Sequence, residues 1–316
     1  MKELVAGIDI GGTNTLIGLV DRDGEVVETH NISTSDYPMV EDFVDALSDR
    51  LQILTKDKYI LRGLGIGAPN GNYNKGTIEL APNLEWKGIV PLAGMMENKL
   101  GIKVALTNDA NAAALGEMMF GGAKGMQNFI VLTLGTGLGS GIVVNGDVVY
   151  GHSGFAGEYG HVIMVPGGRD CGCGRQGCLE TYVSATGIVR TVQWMLSEMN
   201  DDSVLRNLHP KELSSKIIAE AALAKDPVAL EAFDYTADML ALAIVNAVVV
   251  TSPEAIFLFG GLSNAGSVLF DPVRLYVDEY IQPVFKGSVS VLASGIKENN
   301  AAVLGSAALA WKEILK

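Results

Sequence analysis

Cysteine is scarce in this 316-residue chain, and the three present all fall in Cys171-Gly172-Cys173-Gly174-Arg175-Gln176-Gly177-Cys178. An odd count, with Cys171 and Cys173 only two positions apart, argues against a disulfide framework. Basic residues are also few. Lys and Arg number 23 against 36 Asp and Glu, and a net charge of −13 excludes the basic face that an electrostatic nucleic-acid binder needs. No long hydrophobic run is present: the longest, Leu240 to Val250, is broken by Asn246 and too short for a bilayer. Asp9 and the glycines after it interrupt the N-terminal apolar stretch, so no secretory signal is expected. Nor does any Gly-Lys-Ser/Thr phosphate loop occur. These absences predict a soluble, cytoplasmic protein with neither nucleic acid nor membrane as partner, and few cysteines suit a reducing compartment.

The hydrophobic share of 48% is ample for sizeable cores, and the length suggests two domains. The cysteines gain meaning from His161 just upstream. Three thiols and an imidazole are the four ligands tetrahedral zinc prefers, and interspersed glycines allow the tight path around one ion. Four protein ligands close the site, so His161, Cys171, Cys173 and Cys178 read as a structural zinc centre. Glu158 and Glu180 flank it, so the metal would pin two carboxylates.

A strand–loop–strand–turn–strand pattern occurs twice. Leu4–Ile10 runs into Gly11-Gly12-Thr13-Asn14, then Thr15–Val20 turns at Asp21-Arg22-Asp23-Gly24 into Glu25–His30. Phe129–Leu134 likewise runs into Gly135-Thr136-Gly137-Leu138-Gly139, and Ser140–Val144 turns at Asn145-Gly146 into Asp147–Tyr150. Glycine and threonine at matching places make an internal duplication the better reading than two chance hairpins. Strands over Ile60–Gly67, Val104–Asn108, Ala255–Phe259 and Val289–Leu292 alternate with helices. Among these, Ala110–Phe120 is a helix, Asp226-Pro227 opens a long one, Asp271-Pro272 starts another, and Asn300–Leu315 is the last. The pattern is α/β with layers on both sheet faces. The junction is expected near 115–125, with one domain formed by 1–118 plus 300–316 and the other by 119–299.

Each glycine–threonine loop follows a buried strand, where backbone N–H groups can approach an anion. Asp9 sits where a carboxylate could hold hydrated magnesium. Two such loops suggest a jaw on a polyphosphate, and a third turn, Gly260-Gly261, could pass under an adenosine. Asp109 has two readings from its context, a strand-end carboxylate in a cleft or a helix N-cap.

The chain resembles the ROK family of the actin/hexokinase-like ATPase superfamily. The resemblance rests on Asp9-Ile10-Gly11-Gly12-Thr13-Asn14, Ala81-Pro82-Asn83-Leu84-Glu85-Trp86, Asn108-Asp109, the loop 134–141, Glu158-Tyr159-Gly160-His161 and the run from Cys171 to Glu180. It implies two duplicated actin-like, ribonuclease H-like domains about a cleft, and ATP-dependent phosphorylation of a hexose at its 6-hydroxyl, glucose first. An N-acetylhexosamine kinase and a non-catalytic sugar-sensing regulator are the alternatives, and polyphosphate is an alternative donor. Asp109 is then the general base. Asn83, Asn108, Asp109, Glu158, His161 and Glu180 match the family's sugar positions. Asp9, Gly11, Gly12, Thr13, Asn14, Thr136, Gly137, Gly260 and Gly261 face ATP and Mg2+. His161 would ligate zinc through one nitrogen and donate to a sugar hydroxyl through the other. Trp86 reads as packing rather than a stacking platform. The chain begins at the phosphate strand, so the helix-turn-helix extension of the family's repressors is not expected, and a homodimer or dimer of dimers is.

Overall fold

A computed structural model describes residues 1–296 and 298–315. In chain order the first part holds β1 (Lys2–Ile10), β2 (Asn14–Val20), β3 (Val26–Ser33), α1 (Val40–Thr55), β4 (Tyr59–Gly67), β5 (Gly71–Asn72), β6 (Thr77–Glu79), β7 (Ile89–Val90), α2 (Leu92–Leu100), β8 (Lys103–Thr107) and α3 (Asp109–Phe120). The second holds β9 (Phe129–Leu134), β10 (Leu138–Val144), β11 (Asp147–Val148), α4 (Ala185–Glu198), α5 (Ser215–Leu223), α6 (Pro227–Thr251), β12 (Ala255–Phe259), α7 (Ser267–Tyr280), β13 (Ser290–Ala293) and α8 (Glu298–Leu315).

Two five-stranded sheets have the orders β3-β2-β1-β4-β8 and β11-β10-β9-β12-β13. In each, a meander of three antiparallel strands is extended by two parallel ones. The duplicated motif is therefore a duplicated topology, as the repeated loops predicted.

Strand alternation sends β1 into two cores. Leu4, Ala6, Ile8 and Ile10 meet Phe43, Val44, Leu47 and Leu51 of α1. Val5, on the opposite face, meets Val303, Leu304, Ala307 and Trp311 of α8. A strand covered on both faces must be apolar almost throughout, which is how β1 reads. The last helix thus returns to the first sheet. It lies flush there because Gly65 of β4 has no side chain: a Cβ would collide with the Ser306 carbonyl. The second sheet repeats the arrangement. Ile130, Leu132 and Leu134 of β9 join the core with α4 and α6, while Phe129 and Val131 face Ala114 and Leu115 of α3.

The long helix α6 has a composition that could pass for a membrane span, yet Phe233, Leu240, Ile244 and Val248 are buried in the second core. It begins as expected, with Asp226 accepting the Ala229 N–H at 3.0 Å and Pro227 in the first turn. One expected boundary moves. Helix α7 starts at Ser267 rather than Asp271-Pro272, because Gly266 with φ 62° ends the preceding turn earlier. Pro272 gives up one bond inside a helix held by Leu269, Phe270, Val273 and Val277. The expected strand Asp147–Tyr150 shortens to β11, since only Val148 and Asp147 pair with β10.

Candidate active site

Between the two sheets lies a cleft of about 600 Å³. Strand alternation explains which side chains reach it. Asp9 shares the β1 face of Val5, so it points to the inter-sheet side at the strand's C-terminal end, where open α/β sheets place ligands. Thr133 occupies the matching position on β9, one residue before the strand end, and also lines the cleft. Its hydroxyl accepts the Gly139 N–H at 3.1 Å and closes the second loop on itself.

Asn83, Asn108 and Asp109 line the same cleft from the first part, and Thr136, Gly137, Glu158, Glu180 and Gly260 from the second. Gly11, Gly12, Thr13, Asn14, Gly261 and His161 stand outside this lining. The first loop is built as a turn: Gly11 N–H donates to the Asn14 carbonyl at 2.9 Å, and Thr34 N–H donates to the Thr13 carbonyl at 2.8 Å. Gly11 N–H is therefore committed within the loop rather than aimed at an anion. Gly12 lies against the backbone of Asn83. Trp86 is 5% exposed, tilted on Phe43, with Nε1 donating to the Tyr37 carbonyl at 3.0 Å; it is packing, as read.

At the start of α3, the Asn108 side chain accepts the Asn111 N–H at 2.8 Å and is the N-cap. The capping alternative for Asp109 thereby falls away. Asp109 occupies the first helical turn, its own Oδ1 accepting the Ala110 N–H at 2.9 Å. The residue is exposed to solvent in the cleft and at the same time surrounded by the protein of the cleft walls. That burial raises its pKa, with the Ala110 and Asp109 N–H groups opposing. Asp9 is pushed up to about 6 by burial first and by the charge of Asp109 second. Glu158 is also raised, mainly by burial, then by Asp109 and Glu180, against the pull of His161.

Behind Glu158 and Glu180, the ligand atoms of His161, Cys171, Cys173 and Cys178 lie within 4.8 Å of one another. The Cys173 and Cys178 sulfurs are 3.6 Å apart, as are the Cys171 sulfur and His161 Nδ1. A zinc–sulfur length of about 2.3 Å in a tetrahedron separates ligand atoms by about 3.7 Å. The four donors therefore fit a single tetrahedral ion. The turn that gathers them is tied by Cys171 N–H to the Arg175 carbonyl at 2.9 Å and by an Ile163–Cys178 bridge. His161 Nδ1 faces the sulfurs, leaving Nε2 4.0 Å from Glu158 on the cleft side. Glu180 Oε1 lies 3.0 Å from the Cys171 sulfur, and its Oε2 accepts the Leu138 N–H at 3.4 Å. One carboxylate thus joins the thiol cluster to the second glycine loop.

Sequence reasoning passed over Thr133, Ser140, Asn70 and Gly157, which also line the cleft. For Thr133 the signal was available, since it takes the duplicate position of Asp9. Asn70 comes to the cleft through its left-handed turn, φ 51°, which no spacing announces.

The ROK family profile matches residues 5–313. A glucokinase of Halalkalibacterium halodurans is 38% identical over 88% of this chain and 86% of its own. A glucokinase of Thermotoga maritima is 35% identical over 99% of each chain. Among solved structures, a ROK family glucokinase from Streptomyces griseus in complex with glucose and AMPPNP superposes with a TM-score of 0.80 at 34% identity, covering 98% of this chain and 99% of that one. A match to the family over nearly the whole length, on a duplicated fold with this cleft, establishes that the chain belongs to the ROK family.

Proposed function

We propose that this protein is an ATP-dependent hexose kinase that phosphorylates glucose at its 6-hydroxyl. The observation that carries the reading is Asp109: a carboxylate of raised pKa, beside the Asn108 cap rather than the cap itself, lining a cleft with Asp9 and the second glycine loop. The glucokinase relatives and the glucose–AMPPNP complex support glucose and ATP as its substrates. The two lobes are 1–118 with 300–316, and 119–299, and α8 restores the chain to the first sheet.

Phosphoryl transfer asks the protein mainly for positioning and charge neutralisation. Asp109 accepts the proton of the attacking hydroxyl as its oxygen bonds to phosphorus. Asn83, Asn108, Glu158, His161 and Glu180 hold the sugar by polar contacts: the Asn108 amide nitrogen is left for the sugar while its oxygen caps α3, and His161 Nε2 donates. The loop 135–137 and Gly260 line the nucleotide end of the cleft, and the loop 11–14 and Gly261, outside that lining, would reach the nucleotide only as the lobes close. Asp9 would hold Mg2+, which supplies positive charge to the phosphates; its burial beside Asp109 is the donor environment that a cation relieves. The four-ligand cluster would hold structural zinc, fixing the segment that carries Glu158 and Glu180.

Coupled ADP release over a hexose panel tests the reading, with glucose expected to give the highest kcat/KM. Preference for an N-acetylhexosamine would revise the substrate, and turnover only with polyphosphate would revise the donor. A second reading has its own observation: a putative xylose repressor of Caldicellulosiruptor is 30% identical over 99% of this chain. A sugar-responsive regulator would bind sugar by calorimetry and release no ADP with any hexose.

A further inference from the structure

Glu117 is a buried carboxylate that the mechanism above leaves without a task. It sits near the end of α3, 1% exposed. Its surroundings are unusual in one respect: the chain crosses between the two sheets twice, after α3 and after β13, and both crossings converge on this side chain. Oε2 accepts the Gly122 N–H of the first crossing at 2.7 Å. Oε1 accepts the Gly295 N–H of the second at 3.0 Å, and the Ser294 hydroxyl also donates to it. The crossings themselves touch, since a Cβ on Gly295 would collide with the Gly122 backbone nitrogen.

A buried carboxylate is costly, and three donors compensate it only while the strands of the crossing stay together. An apolar side chain would fill the same space at no desolvation cost. The carboxylate does something an apolar group cannot: it holds two glycine-bearing backbones at fixed separation through bonds about which they can still turn. Among the described residues the chain passes between the sheets after α3 and after β13, so a rotation of one lobe against the other has to be absorbed at these two crossings. We propose that Glu117 is a positioning residue, the pin of a hinge on which the lobes close over sugar and nucleotide. Closure about a fixed axis would bring Asp109 and the 6-hydroxyl from one side to the γ-phosphate held by loops from both. The kinetic part of this inference rests on the kinase reading; the closure part does not.

The test is Glu117→Gln, which keeps volume but turns one acceptor into a donor facing a backbone N–H. Full-length wild type and variant are compared by glucose calorimetry, solution scattering with and without saturating glucose, and steady-state kinetics. Misplacement of reacting groups by about 1 Å costs on the order of 100-fold, so kcat is expected to fall about 10- to 100-fold. Glucose should still bind, within about tenfold of wild type, while the glucose-induced decrease in radius of gyration is lost. Such a split separates a hinge from a general loss of stability, which would leave kcat per folded molecule and compaction unchanged. A variant with wild-type compaction and kcat overturns the proposal. If Glu117→Gln does not fold, Ser294→Ala decides: it removes one donor and leaves both backbone bonds, and should show the same split in smaller measure. Ser294→Ala with wild-type kcat and compaction beside an unfolded Glu117→Gln overturns the pin. Wild type that compacts with glucose yet releases no ADP would sink the kinase reading while compaction still reports on the hinge.

Discussion

Asn108 accepts the Asn111 N–H at 2.8 Å, and this bond makes Asn108, not Asp109, the N-cap of α3. Asn108 takes the N-cap position, and the Asp109 carboxylate, whose Oδ1 accepts the Ala110 N–H at 2.9 Å, keeps its Oδ2 for other partners at the cleft. The strand β8 ends, the cap turns the chain, and the next side chain is presented on the first turn of α3.

Asp109→Asn should therefore lower kcat by about 10²–10⁴-fold, the usual worth of a general base. Glucose affinity by calorimetry should change far less, and the helix should keep its stability because its cap is untouched. More than about a tenth of wild-type kcat remaining would refute the base assignment, given that range. Because burial raises the Asp109 pKa, the acid limb of kcat/KM should lie above the ordinary carboxylate range, activity falling as pH drops through it.

Asp9 is expected to stabilise the protein when removed. Its pKa is about 6 in the folded chain, so between about pH 4 and 6 the folded state holds a proton that the unfolded state has released. Stability linked to that proton is complete below about pH 4 and lost as pH rises through 6. Asp9→Asn should raise Tm at pH 7 in magnesium-free buffer, by up to about 3 kcal/mol in stability, and change little at pH 4. Turnover should collapse in the same variant. A Tm gain equal at both pH values would disprove the burial argument.

Purified protein should carry one zinc per chain without added metal. Cys178→Ser replaces a fully buried ligand, and should abolish zinc by elemental analysis, lower Tm and weaken glucose binding through Glu180 and His161. Zinc-free protein with unchanged glucose affinity would break the link between cluster and sugar site.

Trp86→Ala should cost about 3–5 kcal/mol of stability, as for other buried tryptophans, with the Tyr37 carbonyl left without its donor. The KM for glucose of the folded variant should stay within about threefold, a factor worth well under 1 kcal/mol. A large rise in KM at unchanged stability would instead make Trp86 a sugar platform.

Much of this was legible in the linear chain. The repeated strand–glycine–strand pattern is a local property, set by alternation and turn chemistry, and it appears as two sheets of the same order. The cluster of His161, Cys171, Cys173 and Cys178 was legible because its ligands are close in sequence, so chain connectivity alone brings them together. Asp9 could be singled out because it stands at the end of a buried strand, just before the Gly11-Gly12 turn, where a carboxylate could hold hydrated magnesium. Tertiary structure decided the rest. Whether Asn108 or Asp109 caps α3 depends on where extended backbone gives way to helix, here at Asn108 with φ −77° and ψ 165°, and propensity scarcely distinguishes the two. Glu117 reads in the sequence as one more helical glutamate. It acquires its partners only because Gly122 and Ser294-Gly295, far apart along the chain, cross at one point, and contacts of that kind are set by how two sheets pack around α3 and α8.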